Sequence, residues 1–280
     1  MLFYVIISAE NDLSGRSITM ITEQEFLEKY DPSSFERPSI TADVLVFTVR
    51  ESTLQILMVR RDEHPFLGKW CLPGSFIGME ETAEEAAART LVKEAGMEGA
   101  AMEQLYTFSA IDRDPRMRII SIAYIAMMPS NAMHYKKGTD AGSAILFDIQ
   151  RTDKGFRLTA EIDGELLEIG PEEIAFDHEK IIRTALDRMA GKIDYTDIGF
   201  NFLEDKNAFT LTDLRLIYDA VKGTEADIGN FRRFIKNRYI ITGKILNNRE
   251  ERKGFGRPAA TYRYTGVNRQ QPAAGKPGGI

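Results

Sequence analysis

Several stretches of the 280-residue sequence carry side chains whose type and spacing suit chemistry on an anion. The first is the loop and alanine-rich helix of residues 72–97, where Thr90, Lys93 and Glu94 are spaced i, i+3, i+4 and share one helix face. A carboxylate on that face offers hard oxygen to a divalent cation. An ammonium repels one and can meet a phosphate directly, which makes Lys93 a candidate anion contact. Just upstream, Arg60 and Arg61 leave a strand where a guanidinium fork suits phosphate, and Phe66 and Trp70 could stack on a base or ribose. The turn Asp112-Arg113-Asp114-Pro115-Arg116 can close over the same place, bringing Arg113 and Arg116. The last stretch is basic: Asn230, Arg232, Arg233, Lys236 and Arg238 on and beside a short helix, then Lys253 and Arg257 in a glycine-containing loop. Arginine forks onto guanine and asparagine onto adenine in a major groove. The phosphates of a duplex reward any cation nearby.

The whole chain must be built to hold these groups. Its net charge is −6, from 36 basic and 42 acidic residues, but residues 228–266 hold ten basic residues against two acidic. That segment carries +8 and the remainder −14, the asymmetry of an acidic body with one region for a polyanion. One cysteine, Cys71, and three scattered histidines exclude a disulfide scaffold and a clustered zinc site. No apolar run reaches the ~20 residues of a bilayer crossing, and the first residues make a poor signal peptide. A cytoplasmic protein without a membrane partner is expected. Helix signals recur: capping boxes Thr22/Glu25 and Thr82/Glu85, a stop at Gly96, an apolar helical face from Ile181 to Met189, and a helix after Thr212 that ends at Gly223. Asp227 or Asn230 opens the next. Strands are expected at 40–49, 54–60, 101–109, 118–128, 239–245 and 260–264, with further strands between 144 and 169. A long basic loop joins the last two named.

The stretch LPGSFIGMEETAEEAAARTLVKEAGM resembles the Nudix box, G-x5-E-x7-R-E-U-x-E-E-x-G-U with U apolar. Glu81, Arg89, Leu91, Glu94, Gly96 and Met97 fall on the pattern, while Ser75, Thr90 and Lys93 stand where it has Gly, Glu and Glu. The resemblance implies an α+β chain whose first domain is a Nudix α/β/α sandwich. Nudix enzymes hold divalent metal on the glutamates of the box helix and hydrolyse nucleoside diphosphates linked to another group. Here the box is degenerate (Ser75, Glu81, Arg89, Thr90, Lys93, Glu94), no catalytic set is assigned, and Glu81 and Glu94 remain as weak candidates for metal. Sensing is expected rather than turnover, with no cofactor. The alternative is an active hydrolase of the ADP-ribose pyrophosphatase type, which would need Mg2+.

Residues 209–264 are similar to the C-terminal winged helix-turn-helix of the Nudix-related transcriptional regulators of NAD biosynthesis, a family that includes sugar-responsive relatives. The likeness extends to TADVLVFTV, HPFLGKWCLPG, AIDRDP and AFDH in the Nudix half. It implies a homodimer, joined through the Nudix-like domain, that represses transcription. It further implies a double-stranded DNA operator and a small effector such as ADP-ribose, a related NAD metabolite or a sugar. Expected boundaries are an N-terminal extension over 1–19 (a candidate wrongly assigned start), the effector-binding domain over 20–190 and a linker over 191–208. The DNA-binding domain follows over 209–266, then a disordered tail over 267–280. Arg60, Arg61, Phe66, Trp70, Lys93, Arg113 and Arg116 are the expected effector contacts.

Overall fold

The computed structural model describes residues 22–96, 100–135, 138, 142–153, 155–252 and 258–267. The expectations for 1–19 and for residues 268–280, and the residues Met97, Lys253 and Arg257, lie outside that set. Residues up to Arg37 form one unit and those from Pro38 onward another. In the first, helix α1 (Glu23–Lys29) opens on the reciprocal Thr22/Glu25 capping box, and Asp31 caps a 3-10 turn at Pro32–Ser34.

The second unit begins with strands β1 (Ser39–Arg50) and β2 (Thr53–Arg60), joined at Glu51 and Ser52, whose φ values of 48° and 68° suit the twist of a tight hairpin. Short strands β3 (Trp70–Cys71) and β4 (Gly74–Phe76) precede helix α2 (Ala83–Ala95). Next come β5 (Ala101–Phe108), β6 (Ile119–Met127), β7 (Ala144–Thr152), β8 (Gly155–Ile162) and β9 (Glu165–Ile169), then helix α3 (His178–Lys192). The sheet order is β5-β6-β1-β2-β7-β8-β9, with β3 beside β2 and β4 beside β1. β1 and β6 run parallel, and β1 pairs antiparallel with β2 and β4.

The two-residue period of β1 sorts its side chains. Ala42, Val44 and Val46 pack with Ala86, Ala87 and Leu91 of α2, while Leu45, Phe47 and Val49 join Ile181, Ile182, Ala185 and Leu186 of α3. A sheet between two helices results, the sandwich expected. Gly96 ends α2 at φ +63°, and a Cβ there would stand 2.3 Å from the carbonyl oxygen of His134, so both conformation and space require glycine.

The 191–208 segment is packed rather than a plain spacer. α3 runs on to Lys192, and a 3-10 turn at Ile198–Phe202 buries Ile198, Phe200 and Phe202 in the core that α3 contributes to. Polar residues had masked these three apolar ones, which need the neighbouring domain to cover them.

The C-terminal part comprises β10 (Phe209–Thr210), α4 (Leu211–Lys222), α5 (Ile228–Ile235), β11 (Ile245–Arg252) and β12 (Ala259–Tyr264), its sheet ordered β10-β12-β11. Thr210, not Thr212, caps α4, because Thr210 can trade hydrogen bonds with Asp213. Asp227 caps α5 by accepting from the Asn230 N–H at 2.8 Å. The strand expected at 239–245 is absent. α5 instead continues through a π-helical turn, Lys236–Ile240, because Tyr239 is drawn into the core against Phe200 and Phe234. The strand starts at Ile245, so much of the presumed basic loop is β11.

Candidate functional site

The loop before α2 and the end of β2 enclose a cleft of about 260 Å³ beside the box helix. Arg60, Arg61, Lys93, Arg113 and Arg116 all line it, with Ser75 and Glu94 of the box. The fold thus gathers five expected anion contacts from β2, α2 and the 110–118 turn.

Their roles differ. Lys93 is exposed, with its Nζ 3.1 Å from Glu94 Oε1. Arg116 pairs with Asp114 at 2.9 Å, and its guanidinium carbon lies 5.8 Å from the ring centre of Phe76 and 5.9 Å from that of Phe176. Arg61 donates from Nε to the Pro65 carbonyl and sits 4.9 Å above the Phe176 ring. Arg60 donates from Nε to the Gly68 carbonyl at 3.0 Å.

Arg113 is the exception. Its side chain is 3% exposed, forked onto Asp177 at 2.7 and 3.1 Å and standing 3.5 Å from Asp43. Two carboxylates flank it, so it forms the floor of the cleft more than a rim contact. Asp43 also accepts from Ser121, and its Oδ2 lies 3.8 Å from His178 Nε2. A Cβ on Gly74 would stand 2.3 Å from Asp43 Oδ1, so only glycine lets the loop approach this floor.

Trp70 and Phe66 depart from expectation in different ways. Trp70 is 5% exposed and packs edge-on against Phe147, so it belongs to the core and offers no face to a ligand. Its placement on β3, hydrogen-bonded to β2, turns the ring inward. Phe66 does not line the cleft; its ring touches that of Phe176 edge-on at 4.8 Å between centres. Phe176 itself lines the cleft at φ +56°, an uncommon conformation for a bulky residue. Sequence reasoning gave no role to Phe176, Asp43, Asp177 or His178. The available signals were a lone carboxylate within the apolar strand TADVLVFTV and the AFDH run.

The residues of the box do not fit a divalent cation. Thr90 is buried and its hydroxyl bonds Ser75 at 2.8 Å and the Ala86 carbonyl at 2.9 Å. Glu81 accepts from Arg89 at 2.6 Å and from the Gly78 N–H at 2.8 Å, bonds that hold its carboxyl below the usual carboxylate range. Glu81 and Arg89 brace the loop and do not line the cleft. Among the described residues no group of three or more His, Cys, Asp or Glu side chains is placed to hold a metal. Cys71 lines the cleft as a thiol, burial pushing its pKa up to about 12.

His178 Nδ1 accepts from the Leu72 N–H at 2.9 Å. Burial lowers its pKa below 6.5, outweighing the nearby Asp43 and Asp177, while Arg113 and Arg61 push the same way as burial. As pH falls through about 6.5 the unfolded chain takes up a proton that folded His178 refuses. Its contribution to stability is therefore present above that pH and declines below it. Thermal melts from pH 7 to 5 should show this decline, and His178→Asn, which keeps an acceptor for Leu72, should flatten it. An unchanged slope in the variant would assign the acid sensitivity to other groups.

On α5, Asn230, Arg232 and Arg233 are exposed, as is Lys236 at the start of the π-helical turn, while Phe231 and Ile235 are buried behind them. Arg238 is half-buried, its guanidinium carbon 5.3 Å from the Tyr239 ring centre. One helix therefore presents a cationic and amide face to solvent from an aromatic base.

Comparison with known proteins agrees with both halves. Residues 40–142 match the model of the NUDIX domain, and residues 199–264 match that of the NrtR DNA-binding winged helix domain. The chain is 28% identical over 249 residues to the ADPR responsive transcriptional repressor NtrR of Acinetobacter baylyi, covering 88% of this chain and 90% of that one. It is 32% identical over 177 residues to the ADP-ribose pyrophosphatase of Methanocaldococcus jannaschii, covering 63% of this chain and 89% of the relative. The crystal structure of Shewanella oneidensis NrtR complexed with a 27mer DNA superposes with a TM-score of 0.63 at 26% identity, over 81% of this chain and 94% of that one. No helix among the described residues is long and apolar enough to cross a membrane. With its box loop and helix beside a cation-lined cleft and its exposed basic helix on a three-stranded wing, the chain belongs to the Nudix family and carries a winged helix of the NrtR DNA-binding type.

Proposed function

We propose that this protein is a DNA-binding transcriptional repressor whose Nudix domain senses ADP-ribose or a closely related NAD metabolite without hydrolysing it. The observation that carries the reading is the substitution within the box face. Lys93 and Thr90, the latter hydrogen-bonded to Ser75, stand where the Nudix pattern has metal-binding glutamates, while the cleft keeps its arginines. Relatives of both kinds, a repressor responsive to ADP-ribose and an ADP-ribose pyrophosphatase, support that ligand class. The protein acts as a cytoplasmic homodimer joined through the Nudix domain, with the effector domain over residues 20–190 and the DNA-binding domain over 209–266. Arg60, Arg61, Lys93 and Arg116 are its effector contacts, and Asn230, Arg232, Arg233, Lys236, Arg238, Lys253 and Arg257 its DNA contacts.

Repression that responds to an effector requires the ligand to bind the DNA-free and DNA-bound forms with different affinity. Gel-shift titration of a promoter duplex with and without ADP-ribose tests this, and an unaltered shift across a range of NAD metabolites would overturn the sensor. Lys93 sets a sharper test. Reversing one exposed charge beside a diphosphate should weaken ADP-ribose about tenfold in Lys93→Glu at moderate salt. Calorimetry in EDTA measures it, and wild-type binding that appears only with Mg2+, or turnover of ADP-ribose near 1 s⁻¹, would favour the hydrolase.

A further inference from the structure

Helix α3 reaches from the effector cleft towards the C-terminal part. Asp177, the residue before it, takes the Arg113 fork in the floor of the cleft, and Phe176 lines that cleft. Past its far end the chain is tied to the C-terminal elements. Asp194 pairs with Lys222 at 2.8 Å, the Thr196 carbonyl accepts from the Tyr239 hydroxyl at 2.8 Å, and Asp197 pairs with Lys244 at 2.6 Å. A packed helix moves as a unit, so a shift at its start is carried to these ties.

A second connection bypasses the chain. Arg151, near the end of β7, donates from Nη2 to the Leu186 carbonyl of α3 at 2.5 Å and to the Val221 carbonyl of α4 at 3.4 Å. Its Nη1 donates to Asp187 at 3.4 Å. One guanidinium thus joins the Nudix sheet, α3 and the first helix of the winged domain. Val221 stands in the last turn of α4, where helix carbonyls run short of N–H partners and the dipole favours a cation. Gly223 closes α4 at φ +69°, and a Cβ there would stand 2.7 Å from Arg151 Cδ, so both conformation and space require glycine.

The joint is loosely satisfied. Arg151 Nε is buried and has no hydrogen-bond partner among the described residues. Asp187, its ion-pair partner, is largely exposed. Two of the three bonds, at 3.4 Å, lie beyond the usual range for N–H···O. Beside them a cleft of about 440 Å³ opens, lined by Ser52, Arg151, Leu216 and Gly223. A contact retained for stability alone is close-packed with its polar groups paired. A partly satisfied cation beside a void, in a seam between two domains, is instead the mark of an element with more than one arrangement.

We infer that Arg151 is the positioning residue that couples the effector cleft to the DNA-binding face. It holds α4 to α3 in the arrangement seen here and lets go of Val221 when a ligand in the cleft displaces the start of α3. This rests on the sensing reading above and adds the residue through which the response passes. Arg151 does not line the cleft and bonds to no residue of α5, so its loss leaves both binding sites in place and removes the link between them.

Full-length Arg151→Met keeps much of the apolar stem and drops the donors. Fluorescence anisotropy on a promoter duplex, with and without ADP-ribose in EDTA, gives the coupling as a ratio of two affinities. Saturating ADP-ribose should weaken duplex binding about 30-fold in the wild type and no more than about threefold in Arg151→Met. ADP-ribose affinity without DNA should stay within about twofold of wild type, since the cleft is untouched. Arg151→Lys, which keeps the charge but not the fork, should recover part of the ratio. An arginine that only stabilises the fold would lower the melting temperature and leave the ratio unchanged, and that result overturns the inference while the repressor reading stands. Loss of ADP-ribose binding in the variant overturns it as well. Hydrogen exchange on the wild type needs no variant: peptides spanning residues 219–226 should exchange faster with ADP-ribose bound, and unaltered exchange sinks the proposed release. A wild type whose duplex affinity ignores ADP-ribose removes the reading and the inference together.

Discussion

Duplex binding should weaken roughly ten-thousand-fold when salt is raised from 50 to 200 mM, provided each subunit of the proposed homodimer sets about four cations on phosphates. Eight contacts give a log–log slope near −7, because each neutralised phosphate releases its condensed counterion. The geometry supplies the cations. Arg232 and Arg233 on α5 and Lys236 just after it are exposed, and their apolar neighbours Phe231 and Ile235 anchor the helix. Lys244 and Arg252, by contrast, are bound to Asp197 and Asp213 and should add little. Fluorescence anisotropy across a salt series measures the slope. Alanine at both Arg232 and Arg233 should flatten it by about two per subunit. A nearly salt-independent wild type would exclude docking through this face. Arg233→Ala alone also distinguishes readout from positioning. A loss of about 1–3 kcal/mol confined to particular base pairs marks an edge contact, and uniform weakening marks a phosphate contact.

Arg113→Met should cost about 3–5 kcal/mol of folding stability, the penalty for leaving buried carboxylates without their cation. Asp43 and Asp177 both lose the guanidinium, and among the described residues neither has another cation within ion-pairing distance apart from His178 beside Asp43, which burial keeps neutral. Asp177 is also the residue before α3, so its carboxylate ties the start of that helix to the 110–118 turn. Urea unfolding at pH 7 is the measurement. Unchanged stability with lost ADP-ribose affinity would return Arg113 to the class of direct effector contacts expected from the sequence. Methionine keeps much of the side-chain length, so a large loss reports charge more than cavity.

These two residues, Arg233 and Arg113, show where sequence reasoning succeeds and where it stops. Arg233 was legible because its helix announces itself locally: Phe231, Phe234 and Ile235 recur at helical spacing, and what is not apolar must face water. Thr82/Glu85, Gly96, Gly223 and the run of β-branched and aliphatic residues along β1 were legible for the same reason, each rule acting within a few residues. The fate of Arg113 depends on Asp43 and Asp177, 70 and 64 residues away. No local rule distinguishes an arginine that points at solvent from one clamped beneath a cleft. Trp70 was misread for the same reason, its ring turned inward by strand pairing and by Phe147. Tyr239 was taken for a strand residue because β-propensity is weak against a tertiary pull, here that of Phe200 and Phe234.

The sequence by itself determined the two domain types, the loss of carboxylates from the box face and the basic side of α5, since each is written in residue identity and short-range spacing. Only the tertiary structure decided which cations are neutralised by partners and which face outward, as at Lys244 and Arg233, because charge pairing is set by distances between segments the chain brings together only on folding.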